Sequence, residues 1–349
     1  MNKSTIDSFF ESRDVPGVVG LVTSESKTLY HGAAGVAPDA TFAVMSMTKP
    51  ITSFAIMMLQ EQGKLSIDEP ACKYLEKFRA QKVVSNVNNL AHTYDEIPQD
   101  HDFTIRELLA HTAGFGYKFC NDTLFAFNPK SELAFPLLHQ PGSRWTYGVS
   151  TLLLGNIVEA VTGKALGNAL EQLVFTPLDM TETSFQVRDN QVPPYRWEGD
   201  RWQAQSPFPE MPYGDGGLIS TAEDYAKFLR CLLNRGAPLL GEGSFREMTS
   251  NQIGDLFVEI QPAANPGFTL PFPRGGGVDK WGLGFQIHMD PKPGMRSPGS
   301  FSWCGLLNTY FWVDPVKNIA GIVMMQLLPL YEPRCLETLD GFEKLVYQD

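Results

Sequence analysis

The sequence predicts a multi-domain α/β protein in which one antiparallel β-sheet, flanked by helices and built from both chain ends, carries an inserted, mainly helical lobe. Three observations lead there. Residues 18–31 and 308–327 each read as a β-hairpin, with runs of Val, Ile, Leu and aromatic residues on either side of a polar turn. Between them, from about Ile67 to Pro212, apolar residues recur at helical spacing, interrupted by polar, Pro-containing loops. The chain's 349 residues are enough for one large core or two modest ones. The expected division is 1–66 with 213–349 for the sheet domain and 67–212 for the lobe.

The elements follow in order. Ser4 to Arg13 opens on a capping Ser and sets Ile6, Phe9 and Phe10 on one face, which predicts a short amphipathic helix. Val18–Val22, the turn Ser24-Glu25-Ser26-Lys27, and Thr28–His31 form the first hairpin. A helix then starts near Ser46 and runs through Ile51, Ala55, Met58 and Leu59 to a stop at Gly63. In the lobe, Thr104 and Glu107 make a capping box for a helix to His111, and Ser150 to Val161 carries an apolar stripe. Thr221 to Leu233 is helical, with Glu223 and Asp224 in its first turn. Asn308–Val313 and Ile319–Leu327 flank the turn Asp314–Asn318, and Pro333 opens a last helix with Leu336, Leu339, Phe342 and Leu345 inward.

Composition excludes several function classes. Hydrophobic residues at 43% and charged residues at 19% place the chain among folded proteins. The net charge of −11 repels phosphate backbones and anionic lipids, so neither nucleic acid nor a membrane is an expected partner. The longest apolar stretches, Ile51–Leu59 and Ile319–Leu330, fall short of the roughly 20 residues a membrane span needs. The first residues lack the apolar core of a secretory signal, and the expected location is the cytoplasm. Five cysteines form no C-x-x-C pair and six histidines no H-E-x-x-H, so neither a disulfide framework nor a metal is expected, and no cofactor. Gly275-Gly276-Gly277 follows Pro-Arg and reads as a loop, not a nucleotide cradle.

The chemistry concentrates at Ser46-Met47-Thr48-Lys49, an S-x-x-K that places a hydroxyl and an amine one helical turn apart. A Ser hydroxyl needs a partner to take its proton, and a Lys can do so once its pKa is depressed from about 10.4. At a helix start the backbone N–H groups have no intrahelical acceptor, so the Ser46 amide can also face a developing oxyanion. Ser24-Glu25-Ser26-Lys27 fits the same pattern. It sits in a polar hairpin turn, where Ser and Lys are expected for solvation alone. His111 invites a Ser-His-Asp scheme, but no G-x-S-x-G elbow exists, and it is read as structural.

Met45–Lys49, Leu59–Pro70, Thr104–Gly114, Pro141–Ser150 and Gly214–Thr221, in this order, resemble the serine β-lactamase and penicillin-binding-protein superfamily over nearly the whole chain. Within it the likeness is greatest to the class C β-lactamase-like esterases, the family VIII carboxylesterases. The resemblance implies a β-lactamase/transpeptidase-like fold, Ser46 as nucleophile, Lys49 as its proton partner, and Tyr147 as the Tyr of a Y-x-N-type motif. Ser, Lys and Tyr would then share one proton and pass it to the leaving alkoxide, with either Lys49 or Tyr147 as formal base. The K-T-G motif of β-lactamases corresponds to Trp303-Cys304-Gly305, and the residue after it, Leu306, would supply the second oxyanion amide. Trp303 stands in place of the cation and Val149 in place of the Y-x-N Asn. Trp303, Gly305 and Val149 are the expected substrate-binding residues, and Cys304 is read as small and buried. The implied function is hydrolysis of short-chain carboxylic esters through an acyl-enzyme. A β-lactamase, an amide or peptide hydrolase, an acyltransferase and a non-catalytic binding protein are the alternatives.

Overall fold

The computed structural model describes residues 1–290 and 292–348. Seven strands form its main sheet: β1 Val18–Thr23, β2 Thr28–Ala34, β3 Lys280–Trp281, β4 Gln286–Ile287, β5 Phe301–Gly305, β6 Thr309–Asp314 and β7 Ile319–Met324. Their order is β2-β1-β7-β6-β5-β4-β3, every pairing antiparallel, so β1 from the start of the chain lies against β7 from its end. Both predicted hairpins are present, β1–β2 and β6–β7.

The sheet is covered on both faces. Successive strand residues point to opposite sides, and on β6 Phe311 meets Tyr225 of α5 (Ala222–Leu233) while its neighbour Trp312 meets Phe342 of α6 (Pro333–Tyr347). This is why the strands read as continuous apolar runs. Gly321 is required where Trp312 crosses β7, since a Cβ there would stand 2.2 Å from the indole ring. The remaining helices that matter here are α1 (Lys3–Glu11), α2 (Thr48–Glu61), α3 (Ile105–Leu109) and α4 (Ser150–Thr162). The capping box at Thr104 and Glu107 forms as expected, and Pro333 occupies the first turn of α6. Among the described residues no helix is long and apolar enough to cross a membrane.

Three sequence expectations are corrected. Asn2, not Ser4, caps α1, its side chain accepting from the Thr5 amide. Ser46 lies in a 3-10 turn, Met45–Met47, and the α-helix begins only at Thr48. Residues 67–212, expected to be mainly helical, also hold two hairpins, Lys82–Asn88 with Thr93–Pro98 and Tyr195–Glu198 with Arg201–Ala204. Neither shows a period-two pattern because both are largely solvent-facing, with Val83 the buried residue of the first. The second hairpin pairs in parallel with Leu327–Leu328, tying Tyr195–Glu198 to the C-terminal segment.

Candidate active site

The turn before α2 presents Ser46. Met45 adopts a left-handed backbone at φ 47°, a strained conformation for a residue with a side chain, and the chain swings from it into the 3-10 turn that exposes the Ser46 hydroxyl. Three residues on, Lys49 is 1% exposed and directs its amine back at that hydroxyl. Its three protons have three acceptors: Ser46 Oγ at 3.0 Å, Tyr117 Oη at 2.9 Å and the Asp215 carbonyl at 2.7 Å. Burial lowers the amine to about 8, against the opposing pull of the Asp215 charge.

Tyr147, from the loop before α4, donates its phenol to Ser46 Oγ at 2.7 Å. Its ring is packed among Trp145, Trp303 and Phe272, and burial holds its proton well above the ordinary phenol range. The Trp303 indole N–H reaches Tyr147 Oη at 3.3 Å. The Lys49 amine lies 5.0 Å from the Tyr147 ring centre, and the hydrogen-bond chain between amine and phenol runs through Ser46 Oγ.

The end of β5 lies against the same turn. A Cβ on Gly305 would stand 2.3 Å from the Val44 carbonyl, and Thr309 Oγ1 donates to that carbonyl at 3.2 Å. Glycine is therefore needed for β5 to approach. Among the described residues neither the Ser46 nor the Leu306 amide donates a hydrogen bond to the chain. Val149 is 4% exposed and sits at the start of α4, two residues beyond Tyr147.

Thus Ser46, Lys49, Tyr147, Trp303 and Gly305 converge, with Leu306 at the edge. Sequence reasoning missed Tyr117 and the Asp215 side chain. Tyr117 accepts from Lys49 and donates to the Asp215 carboxylate, which is itself buried. Asp215 was legible only as part of a glycine-rich run, and Tyr117 lies in a loop without periodicity. His111 packs its ring against Trp145, Tyr147 and Trp281; its buried Nδ1 has no hydrogen-bond partner among the described residues, and burial keeps it neutral. Ser24 Oγ accepts from the Ser26 and Lys27 amides, closing its hairpin turn.

With Lys49 neutral above about 8, two of its protons stay on Tyr117 and Asp215 and its lone pair faces Ser46. Turnover is expected to rise with pH to a plateau, half-maximal near 8. Asp215→Asn removes the charge that favours the ammonium, so the midpoint moves down. A kcat/KM profile between about pH 6 and 10 checks this; a flat profile, or a midpoint moved up in the variant, contradicts it.

Known proteins are similar to this chain over most of its length. Acyltransferase calJ of Penicillium decumbens is 27% identical over 90% of this chain and 82% of its own. The lovastatin esterase of Penicillium rubens is 25% identical over 84% of this chain and 81% of its own. In structure, a mutant of simvastatin synthase (LovD) from Aspergillus terreus superposes with a TM-score of 0.85, covering 99% of this chain and 96% of that one at 23% identity, a likeness of fold. Residues 2–343 match the Beta-lactamase family, and the chain belongs to that family.

Proposed function

We propose that the protein is a serine carboxylesterase that cleaves neutral, short-chain esters through an acyl-enzyme on Ser46. The observation that carries this reading is the convergence of two proton-transfer groups on one hydroxyl, Lys49 at 3.0 Å and Tyr147 at 2.7 Å. Neutral Lys49 takes the Ser46 proton as Oγ attacks the ester carbonyl carbon, and the oxyanion forms against the Ser46 and Leu306 amides. As the carbon–oxygen bond breaks, Tyr147 gives its proton to the leaving alkoxide. Ammonium and phenolate then coexist, the phenolate steadied by the Trp303 N–H. In the second half-reaction the phenolate takes a proton from the attacking water, and Lys49 returns its proton to Ser46 Oγ. Charge and protons balance, and no third acid is needed.

Two departures from the β-lactamase pattern support a neutral ester as substrate. Trp303 replaces the cation that would hold a ring carboxylate, and Val149 replaces the amide that would hold an acylamide. Leaving such groups without partners costs about 1–3 kcal/mol each. Esters such as p-nitrophenyl butyrate are therefore expected to exceed any cephalosporin in kcat/KM by at least about 10²-fold, taking one to two lost contacts at that magnitude. Measuring both on one preparation checks this; a cephalosporin matching the best ester reverses the reading. Acyl transfer is the second reading, favoured by the similarity to acyltransferase calJ. Adding 1-butanol during turnover separates the two, since a transferase yields butyl ester in excess of free acid.

A further inference from the structure

The turn Tyr213–Gly216 brings Asp215 beside the nucleophile with one carboxylate oxygen that the mechanism above does not use. We propose that this carboxylate recognises a cationic group on one arm of the ester, so that ammonium-bearing esters are favoured substrates. The proposal rests on ester hydrolysis at Ser46 and adds a substrate class to it.

The chain fixes Asp215 from both sides. The Gly216 amide donates to the Tyr213 carbonyl at 3.2 Å and closes the turn, and Thr52 of α2 donates to the Gly214 carbonyl at 2.8 Å. The Asp215 carbonyl receives Lys49 at 2.7 Å, and its Oδ2 takes the Tyr117 phenol. Lys49 in turn reaches Ser46 Oγ and Tyr117 Oη, so three hydrogen bonds of about 3 Å each put the carboxylate within about 9 Å of the nucleophile. A short arm on either side of an ester bond spans that gap.

Oδ1 is the open oxygen. Among the described residues it accepts no hydrogen bond, and it is not one of the buried polar atoms left without a partner, so what it meets is solvent. Around it the turn faces open space: Tyr213 is 51% exposed, Tyr117 is half-buried, and a Cβ on Gly216 would meet nothing within 4 Å.

Charge selects the ligand. Among the described residues no Lys or Arg stands within ion-pair distance of the carboxylate; Lys49 meets the Asp215 backbone instead, and it serves as base only when neutral. The working cleft therefore keeps a negative charge beside Ser46 that no cation matches. Partly buried charges are screened less than surface ones, so an ammonium on the substrate is attracted and a carboxylate repelled.

Two pairs of esters, each matched in shape and differing by one charge, test this with the full-length protein above pH 8, where Lys49 is neutral. Butyrylcholine against 3,3-dimethylbutyl butyrate places the cation on the alcohol arm, and ethyl 4-(trimethylammonio)butanoate against ethyl 5,5-dimethylhexanoate places it on the acyl arm. In at least one pair kcat/KM, divided by the hydroxide-catalysed rate of the same ester, is expected to favour the cation by about tenfold or more, on the scale of a partly buried charge pair. Asp215→Asn changes Lys49 equally for both members of a pair, so the ratio within the pair reads recognition alone. It should fall to within about twofold of one, as at a site without a charge partner. Should that variant not fold, tetramethylammonium chloride should inhibit turnover of the neutral ester competitively in the wild type, where sodium chloride at equal ionic strength does not. Parity in both pairs, a preference unchanged in folded Asp215→Asn, or no such inhibition overturns the cation site and leaves the esterase reading standing. If no ester is turned over, the esterase reading fails, and tetramethylammonium binding followed by proton NMR, wild type against Asp215→Asn, still decides the site.

Discussion

Ser46→Ala is expected to abolish covalent labelling by a fluorophosphonate probe and to lower kcat for p-nitrophenyl butyrate by about 10⁴ to 10⁶-fold, the scale seen when a serine nucleophile is removed. The loss should be that large because the proton-transfer groups are aimed at this one oxygen. The strained Met45 and the 3-10 turn aim one hydroxyl at the cleft, and both Lys49 and Tyr147 converge on that oxygen. The fold should survive, since Ser46 Oγ holds no core contact and its partners keep others: Lys49 on Tyr117 and Asp215, Tyr147 on Trp303. Ser24→Ala supplies the control within the same chain. It has the same S-x-x-K spacing, but its hydroxyl closes a turn, so labelling and turnover should stay within about twofold of wild type, as for surface sites in general. Label mapped to a residue other than Ser46, or turnover within tenfold in Ser46→Ala, would sink the assignment.

The contrast between Ser24 and Ser46 shows what a pattern in the chain can reveal. Local signals carry local structure: the capping box at Thr104, the Pro that opens α6 and the turn at Asp314–Asn318 all act within a few residues, and all appear as expected. The pairing of β1 with β7 was legible because each strand is apolar on both faces and so requires cover on both. The site was legible through motif order, which brought Lys49, Tyr147 and Trp303 together with Ser46. What escaped depends on contacts between distant loops. Tyr117 and Asp215 are 98 residues apart in sequence and meet around the buried Lys49 amine. The hairpin at Lys82–Pro98 bury too little for its strands to show any alternation. The tyrosine's proton likewise follows from burial, which the sequence alone leaves open; it keeps Tyr147 protonated at rest and favours Lys49 as the base in the first step.

That division of labour has a quantitative consequence for the pair. Lys49→Met keeps most of the side-chain volume while removing the base, and Tyr147→Phe keeps the ring that packs against Trp145, Phe272 and Trp303 while removing one hydroxyl. Each is expected to lower kcat by about 10² to 10⁴-fold, the worth of a positioned acid or base. The double variant should resemble the worse single one. In the proposed cycle the phenolate left by Tyr147 exists only while Lys49 carries the matching proton, so for an ester whose alkoxide needs that proton to leave, losing either partner denies the other its function. Their hydrogen bonds to one oxygen, at 3.0 and 2.7 Å, are the physical form of that dependence. Tyr147→Phe should also retain slow acylation of Ser46 by esters with good leaving groups, because a p-nitrophenolate departs without a proton, whereas ethyl esters should lose far more. Stopped-flow measurement of acylation with p-nitrophenyl butyrate and ethyl butyrate, across the two single variants and the double, resolves these steps. Independent multiplicative losses, or equal losses for both leaving groups in Tyr147→Phe, would contradict the shared-proton scheme and return the base assignment to Tyr147.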